Sequence, residues 1–403
     1  MKILMLTPYL PYPLLSGGQI RTYNLLKKLA HKHEITLFAL IKDDSERQYV
    51  AELEKYCKKV KVFNRSKKPF TIQNVFKALL SSHPFLVIRN HAPHTIKAIE
   101  EELSQNHYDL IHAETFYMMP HLPRTTIPTI LVEQTIEYLG YESYAKKAPF
   151  FLKPLLQLDI NKIKKWEKYY WRKCHHLIVM SQDDQNYIEE QVEHHAPIDV
   201  VSNGVDIEWF NQKKRELPTV PTILSVGTFN WLPNVEAVNF LVRQVWPKIK
   251  TLVKNAKLKI VGNNPTQQVF DFQKTDTQIE VIGRIPDIRD AFKKSHVLVA
   301  PVFSGKGTRY KILEAMASGT PVVATSIAVE GLAVQHRKHV LTSNTAEGLA
   351  ELTAEVLQDP KLWESLSKTG YQFVMEQYNW DVISKKLDTI YQQLGARHRD
   401  RTK

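Results

Sequence analysis

The stretch HVLVAPVFSGKGTRYKILEAMASGTPVVAT, residues 296–325, decides how this chain reads. It runs as an apolar strand, a glycine loop, an amphipathic helix and a second apolar strand. The first run, 297–301, is expected to end in a loop carrying Gly305 and Gly307. A helix is predicted from Thr308, whose hydroxyl suits the N-cap position. Glycines let backbone amides approach a ligand closely. A helix N-terminus adds unpaired N–H groups and a partial positive charge. Lys306, Arg309 and Lys311 add full charges. These residues together predict a phosphate site. The competing reading is an ordinary strand-to-helix turn decorated with surface lysine and arginine.

The spacing narrows the choice of phosphate ligand. A Walker loop needs Gly, four residues and then Gly-Lys-Ser/Thr, whereas here Gly307 follows Lys306. A dinucleotide fingerprint needs a third glycine where Tyr310 stands, and no such motif follows the first strand. Glu314 lies six residues past Thr308, roughly 9 Å along a helix rising 1.5 Å per residue. Its side chain leans back toward the N-terminus, where a carboxylate suits the vicinal hydroxyls of a ribose. A diphosphate at the cap and a ribose at Glu314 make a nucleoside diphosphate. Ile312, Leu313, Ala315 and Met316 supply the buried face of the helix.

Outward from this stretch the same alternation recurs. Strand-length apolar runs fall at 3–7, 35–40, 110–113, 129–132 and 177–180, and again at 222–226, 258–261, 280–282 and 321–324, with helical patterns such as 19–30 between them. Short continuous apolar strands separated by helices predict parallel sheets covered on both faces. The predicted fold class is therefore α/β, with two Rossmann-like doubly wound domains facing a central cleft. Ligands of such sheets sit beyond the carboxyl ends of the strands. The boundary is placed within 202–221, SNGVDIEWFNQKKRELPTVP, where an Asn-Gly turn signal precedes a charged run and two prolines. The domains are read as 1–205 and 206–378, with a single-striped helix at about 379–403 packing back on the first.

The chain has 403 residues and a formal net charge of +12. That length suggests two domains, and that charge favours phosphorylated substrates, anionic lipid or nucleic acid. Two stretches mix lysine with aromatic and apolar residues: 64–80 and 146–173. They read as solvated helix faces, as a contact with an anionic membrane, or as a nucleic-acid surface. No nucleic-acid motif supports the last, and no nucleic-acid partner is expected. No apolar run approaches the ~20 residues of a membrane span. The start, MKILMLTPYL, is broken by proline and lacks a cleavage site, so a cytoplasmic location is expected, with the inner face of the membrane as its peripheral contact. Cys57 and Cys174 are expected as free thiols.

The run KILEAMASGTPVVAT, together with NGVD at 203–206, SGGQIR at 16–21 and GRIPD at 283–287, resembles the family 4 retaining glycosyltransferases of GT-B architecture. The resemblance covers essentially the whole chain in order. It implies transfer of a sugar from a nucleoside-diphosphate sugar to a cell-envelope, glycolipid or exopolysaccharide acceptor, with no metal or other cofactor. It implies donor-binding roles for Gly17 and Gly18 in the loop after the first strand, for Gly307 and Thr308 at the diphosphate, for Arg284 and Ile285 beside the base, and for Glu314 at the ribose.

Three positions depart from the family pattern. The first glutamate of the family's pair is Lys306 here. The phosphate clamp after the first strand of the second domain is missing, and GTFNWLPN, 227–234, offers Thr228 and Asn234; Lys306, Arg309 and Lys311 could replace its charge. Some relatives carry a histidine near LVEQTIEY, 131–138, where this chain has Gln134. Gln134 cannot act as a base, though it can bond a sugar hydroxyl, which suits front-face transfer with the departing phosphate taking the acceptor proton. Lys306, Arg309 and Gln134 are the candidate catalytic residues. A nucleotide-sugar epimerase and a non-catalytic nucleotide-sugar-binding module are the alternative functions. Ser181 with Asp183 and Asp184 is read as a helix cap, and the histidine pairs 31/33, 175/176 and 194/195 as packing or surface residues.

Overall fold

The computed structural model describes residues 1–68, 70–304 and 310–401. The chain forms two compact units: Met1–Asn203 with Ile383–Lys403, and Gly204–Val382. Unit 1 is built on β1 (Lys2–Thr7), β2 (Glu34–Ile41), β3 (Lys59–Asn64), β4 (Leu110–Glu114), β5 (Thr129–Glu133), β6 (His176–Val179) and β7 (Ile198–Val200). These strands lie in the order β3-β2-β1-β4-β5-β6-β7, every pair parallel. Its inner strands are sealed: Ile3, Leu4, Leu6, Leu110, Ile111, Ile130 and Leu131 show no exposed surface. A strand buried on both faces needs a continuous apolar run, and that is what the sequence supplies.

Unit 2 repeats the plan with β8 (Thr222–Val226), β9 (Lys257–Val261), β10 (Ile279–Ile282), β11 (Val297–Ala300), β12 (Val322–Ala324) and β13 (Leu341–Thr342). Their order is β10-β9-β8-β11-β12-β13, again all parallel. The strand order reverses between β1 and β4 in unit 1 and between β8 and β11 in unit 2. Parallel sheets open a crevice at such switch points.

The helices differ from the sequence reading in one place that matters. Gly17 and Gly18 are not in the loop after β1 but form the first turn of a helix, Gly17–Leu29. Ser16 caps it, its hydroxyl accepting the Gln19 N–H, so the helix starts two residues before the apolar pattern does. The Ser181 cap opens Gln182–Gln191, accepting from the Asp184 N–H at 3.2 Å. The last helix, Trp380–Arg401, packs its Leu387, Ile390, Tyr391 and Leu394 inward. Its Asp388 accepts from His33 Nε2 at 3.0 Å. Cys57 and Cys174 are free and buried, and burial pushes each thiol up to about 12. No group of side chains with metal-ligand geometry occurs among the described residues.

Candidate functional site

In unit 1 a polar network sits at the switch point, at the carboxyl ends of β1, β4 and β5. Its centre is Glu114, the last residue of β4, which shows no exposed surface. Burial works to raise its carboxyl, but bonding to His112, the charges of His112 and Arg21, and the bond from Gln134 outweigh burial and hold it below its usual value. Glu114 is therefore an acceptor at both oxygens. His112 Nε2 lies 3.1 Å from Glu114 Oε1 and must donate to it. Nδ1 of the same ring lies 2.7 Å from the Tyr391 hydroxyl, so both ring nitrogens are engaged. A tyrosine on the returning C-terminal helix thus fixes the orientation of the histidine ring, and the histidine pins the carboxylate.

The other oxygen of Glu114 orients Gln134, just past β5. Gln134 Nε2 donates to Glu114 Oε2 at 2.6 Å and to the Tyr9 hydroxyl at 2.6 Å. Tyr9 in turn meets Thr22 Oγ1 at 3.1 Å. Both amide hydrogens of Gln134 are consumed, so only its carbonyl oxygen is left to offer. That oxygen stands over the first turn of the Gly17–Leu29 helix: a Cβ on Gly18 would come within 2.7 Å of it and 2.6 Å of the Tyr9 hydroxyl. A larger residue at 18 would push these two side chains out of the space they occupy above it. Arg21, fully buried one turn further on, donates to the Ser202 carbonyl at 2.8 Å and supplies the charge that balances Glu114.

In unit 2 the sequence-predicted residues fall on the loops and helix around β8 and β11. Gly227 follows β8, and its backbone passes so close to Gly262, after β9, that a Cβ on Gly262 would stand 1.6 Å from the Gly227 carbonyl oxygen. Asn234, in the helix Leu232–Phe240, folds back on this turn and donates to the Thr228 carbonyl at 3.0 Å. Its Oδ1 accepts from Lys311 Nζ at 2.9 Å. The structure thus joins two residues that the sequence had placed on separate motifs. Ser304, at the end of the β11 loop, donates to Glu236 at 2.8 Å.

Glu314 lies in the helix Tyr310–Ala317, whose Ile312, Leu313, Ala315 and Met316 are buried as the pattern requires. Its own side chain is half-buried. Burial pushes the carboxyl up to about 7, against the pull of Lys311 one turn earlier. Arg284 is exposed and Ile285 half-buried in the loop after β10, with Ile285 against the unit 2 core. Lys306, Gly307, Thr308 and Arg309 lie outside the described residues.

Sequence reading named Gly18, Gln134, Asn234, Lys311 and Glu314 but not Tyr9, Arg21, His112, Glu114 and Tyr391, which the structure joins in one network. A usable signal was present. LIHAE and TILVE both close a buried strand on a glutamate, and an acid at the carboxyl end of a central parallel strand faces the ligand side of the sheet.

A family model described as Glycosyl transferases group 1 matches residues 220–359, and one described as Glycosyltransferase Family 4 matches residues 15–209. An uncharacterized 44.6 kDa protein of the Klebsiella pneumoniae cps region is 21% identical over 402 residues, covering 94% of this chain and 96% of that protein. A phosphatidyl-myo-inositol mannosyltransferase of Mycobacterium leprae is 24% identical over 37% of this chain and 41% of its own length. Among solved structures, sucrose-phosphate synthase of Thermosynechococcus elongatus matches with a TM-score of 0.73 at 18% identity, over 98% of this chain and 100% of that one. Anabaena HepE in complex with UDP and glucose matches with a TM-score of 0.64 at 15% identity, over 98% and 100%.

Proposed function

This chain belongs to the group 1, family 4 glycosyltransferases, and on that premise we propose that it takes a sugar from a nucleoside-diphosphate sugar, with retention at the anomeric carbon, and passes it to a cell-envelope glycan, glycolipid or exopolysaccharide. The observation that carries the donor assignment is Glu314. Its carboxyl is held half out of water on the helix after β11, and no described residue hydrogen-bonds or ion-pairs with it. Leaving a carboxylate so placed costs free energy unless a ligand's hydroxyls satisfy it. The pair Lys311–Asn234 lies on the same element and its neighbour, where a cation suits the diphosphate. HepE, with its UDP, is a relative in fold that accepts this class of molecule. Gly307, Thr308, Lys306 and Arg309 are carried forward as diphosphate ligands, and Arg284 and Ile285 as neighbours of the base.

In the proposed reaction the bond from the anomeric carbon to the diphosphate oxygen breaks and a bond to the acceptor oxygen forms on the same face. The acceptor proton passes to the departing diphosphate. Unit 1 contributes the Gly17–Gly18 turn and the carbonyl of Gln134, which can accept from a sugar hydroxyl but cannot hold a proton as a base. Fixed donors and cations aimed at the leaving group lower the barrier, because charge grows there in the transition state. Incubation of the full chain with UDP- and GDP-hexoses and an envelope glycan extract tests this. Acceptor-dependent nucleotide release, with the donor's anomeric configuration kept in the product by NMR, is expected. An isomerised donor without release would make the chain an epimerase; binding without turnover would make it a donor-binding module.

The acceptor side of the proposal includes contact with an anionic membrane. No described helix is long and apolar enough to cross a bilayer. Unit 1, however, exposes Ile72, Phe76, Leu79 and Leu80 along the helix Ile72–Leu80, and Phe150, Phe151 and Leu155 near the start of Lys153–Lys173. Leu80 is 86% and Phe150 83% exposed. The two stretches adjoin, since Lys162 donates to the Ser81 carbonyl at 2.8 Å and Trp166 to that of Ser82 at 3.1 Å. Lys77, Lys146, Lys153 and Lys165, in the same two stretches of sequence, are exposed. Exposed lysines interspersed with large exposed apolar side chains are the pattern of an interfacial surface. Flotation with vesicles containing phosphatidylglycerol should carry the chain, and vesicles of phosphatidylcholine alone should not.

A further inference from the structure

Two arginines at the carboxyl edge of the unit 1 sheet have no role in the network around Glu114. Arg65 is the first residue beyond β3, and its N–H extends the ladder to the Ile41 carbonyl at 2.9 Å. Its Nη1 grips Oδ1 of Asn90. Arg89 immediately precedes that asparagine in the helix Phe85–Asn90, which packs on the turn Phe116–His121. The two guanidinium groups are therefore neighbours, and both are half-buried. In each, Nε is sealed from solvent and has no hydrogen-bond partner. No described carboxylate lies within ion-pair distance of either, and Arg89 makes no side-chain hydrogen bond at all to a described residue.

Such an arrangement is costly. A buried N–H left unsatisfied costs about 1–3 kcal/mol, and two adjacent cations repel. Burial and the charge of Arg89 together lower the proton affinity of Arg65. Native proteins rarely keep buried orphan donors without a use. The surroundings suit an oxyanion. Tyr117, in the turn after β4, and Tyr141, one turn into the helix after β5, both keep their protons, since burial raises each hydroxyl. Glu137, also facing Arg89, is pushed up by burial to about 7, so this carboxyl does not fully neutralise the pair. Arginine forks match the geometry of phosphate oxygens.

We propose that Arg65 and Arg89 form an anion site in unit 1 that binds a phosphate ester carried by the acceptor. The anion site stands on the geometry of unit 1 alone; its assignment to the acceptor rests on the transferase reading above. A phosphate ester can sit on a soluble glycan or on a lipid, and the experiment separates these sources.

The test is calorimetric titration of the full chain and of Arg89→Gln with glycerol 3-phosphate, and a parallel sedimentation assay with phosphatidylcholine vesicles doped with phosphatidic acid. Arg89→Gln removes no described hydrogen bond or ion pair and relieves the repulsion with Arg65, so its melting temperature should stay level or rise, whereas a merely structural Arg89 would lower it. The expected result is binding by the wild type and at least a tenfold loss in the variant. Arg89-dependent binding of the soluble ester places the phosphate on a glycan; Arg89-dependent binding of the doped vesicles alone places it on a lipid. Equal binding by both proteins, or no binding of either probe by the wild type, overturns the site. Slow hydrolysis of the donor in water reports the donor side independently. If hydrolysis persists while phosphate binding is absent, the anion site fails and the transferase reading stands. If phosphate binds through Arg89 but no donor is ever cleaved, the reverse holds.

Discussion

Glu314→Gln should make the free protein more stable and the donor complex weaker, and the two effects should part company with pH. Burial takes the Glu314 carboxyl from 4.5 to about 7 in the folded state. At about 1.4 kcal/mol per pH unit, that is a ceiling of about 3.4 kcal/mol paid to ionise it in the fold. The side chain is half-exposed, so screening reduces the figure to about 1.5–3 kcal/mol. The sign follows from proton counting. A carboxyl with a raised folded value binds more protons folded than unfolded between these two values. Stability is thus unaffected below 4.5, falls as pH rises, and carries the full penalty above about 7. Glutamine keeps the shape and never ionises. For a unit the size of Gly204–Val382, about 2–4 °C accompanies each kcal/mol. The variant should therefore melt about 3–12 °C above the wild type at pH 8.5. The difference should shrink to about a quarter of that near pH 5, where the folded wild type is protonated. UDP or GDP affinity, by titration calorimetry, should fall by about 1–3 kcal/mol for loss of the carboxylate acceptor. A variant that melts lower at pH 8.5, or gains the same at both pH values, would refute the burial argument. Unchanged nucleotide affinity in the better-folded variant would refute the ribose assignment.

The same group makes nucleotide binding pH-dependent. Wild-type affinity should rise between about pH 5 and pH 7.5 as Glu314 ionises, with proton release seen as a buffer-dependent heat, and should be flat over that range in Glu314→Gln. Gly18→Ala places a methyl 2.6 Å from the Tyr9 hydroxyl and 2.7 Å from Gln134 Oε1; turnover should fall at least tenfold while circular dichroism shows the fold intact, because the side chains that must move are Gln134, proposed to meet the substrate, and Tyr9, which holds its amide. Gly262→Ala differs in kind. Its methyl would stand 1.6 Å from a backbone oxygen of Gly227, which no side-chain rotation relieves, so the loss should exceed about 4 kcal/mol and appear as insoluble or unfolded protein on expression.

How far the sequence could be read follows from what each part of the fold demands. Central parallel strands are buried on both faces, so they announce themselves as unbroken apolar runs, and every such run lies on a strand of the structure. The strands that went unread, β3, β7 and β13, all lie at sheet edges. β3 reads KVKVFN, with Lys59 and Lys61 both reaching the carboxylate of Glu102. A half-solvated edge tolerates that alternation and can even use it against edge-to-edge pairing. β7 carries Asp199, paired with His176, and β13 has only two residues. The site divides along the same line. Glu314 and Lys311 were legible because they share one helix at a readable spacing, and Asn234 because it follows a strand end; that Lys311 and Asn234 meet, 77 positions apart, was not. The Glu114 network was not, because its bonds join residues as far apart as His112 and Tyr391, 279 positions away.

That network bears on what a chain without the histidine of some relatives can still do. A glutamine alone could present either end of its amide. Here the choice is made by Glu114, since an ionised carboxylate accepts and the only donor on Gln134 is its nitrogen. Tyr9 takes the second hydrogen, and the carbonyl oxygen is left over Gly18 as the one group the amide can offer. Glu114, sealed behind it, spends both oxygens on His112 and Gln134 and cannot reach a substrate proton without breaking a bond already made. Unit 1 thus offers a fixed hydrogen-bond acceptor at the position where some relatives carry a histidine. On the proposed front-face route this suffices, because the departing diphosphate takes the proton and the protein need only hold the hydroxyl in line. The replacement of His by Gln would then be tolerated because the four residues behind it, Glu114, His112, Tyr9 and Tyr391, decide which way the amide points.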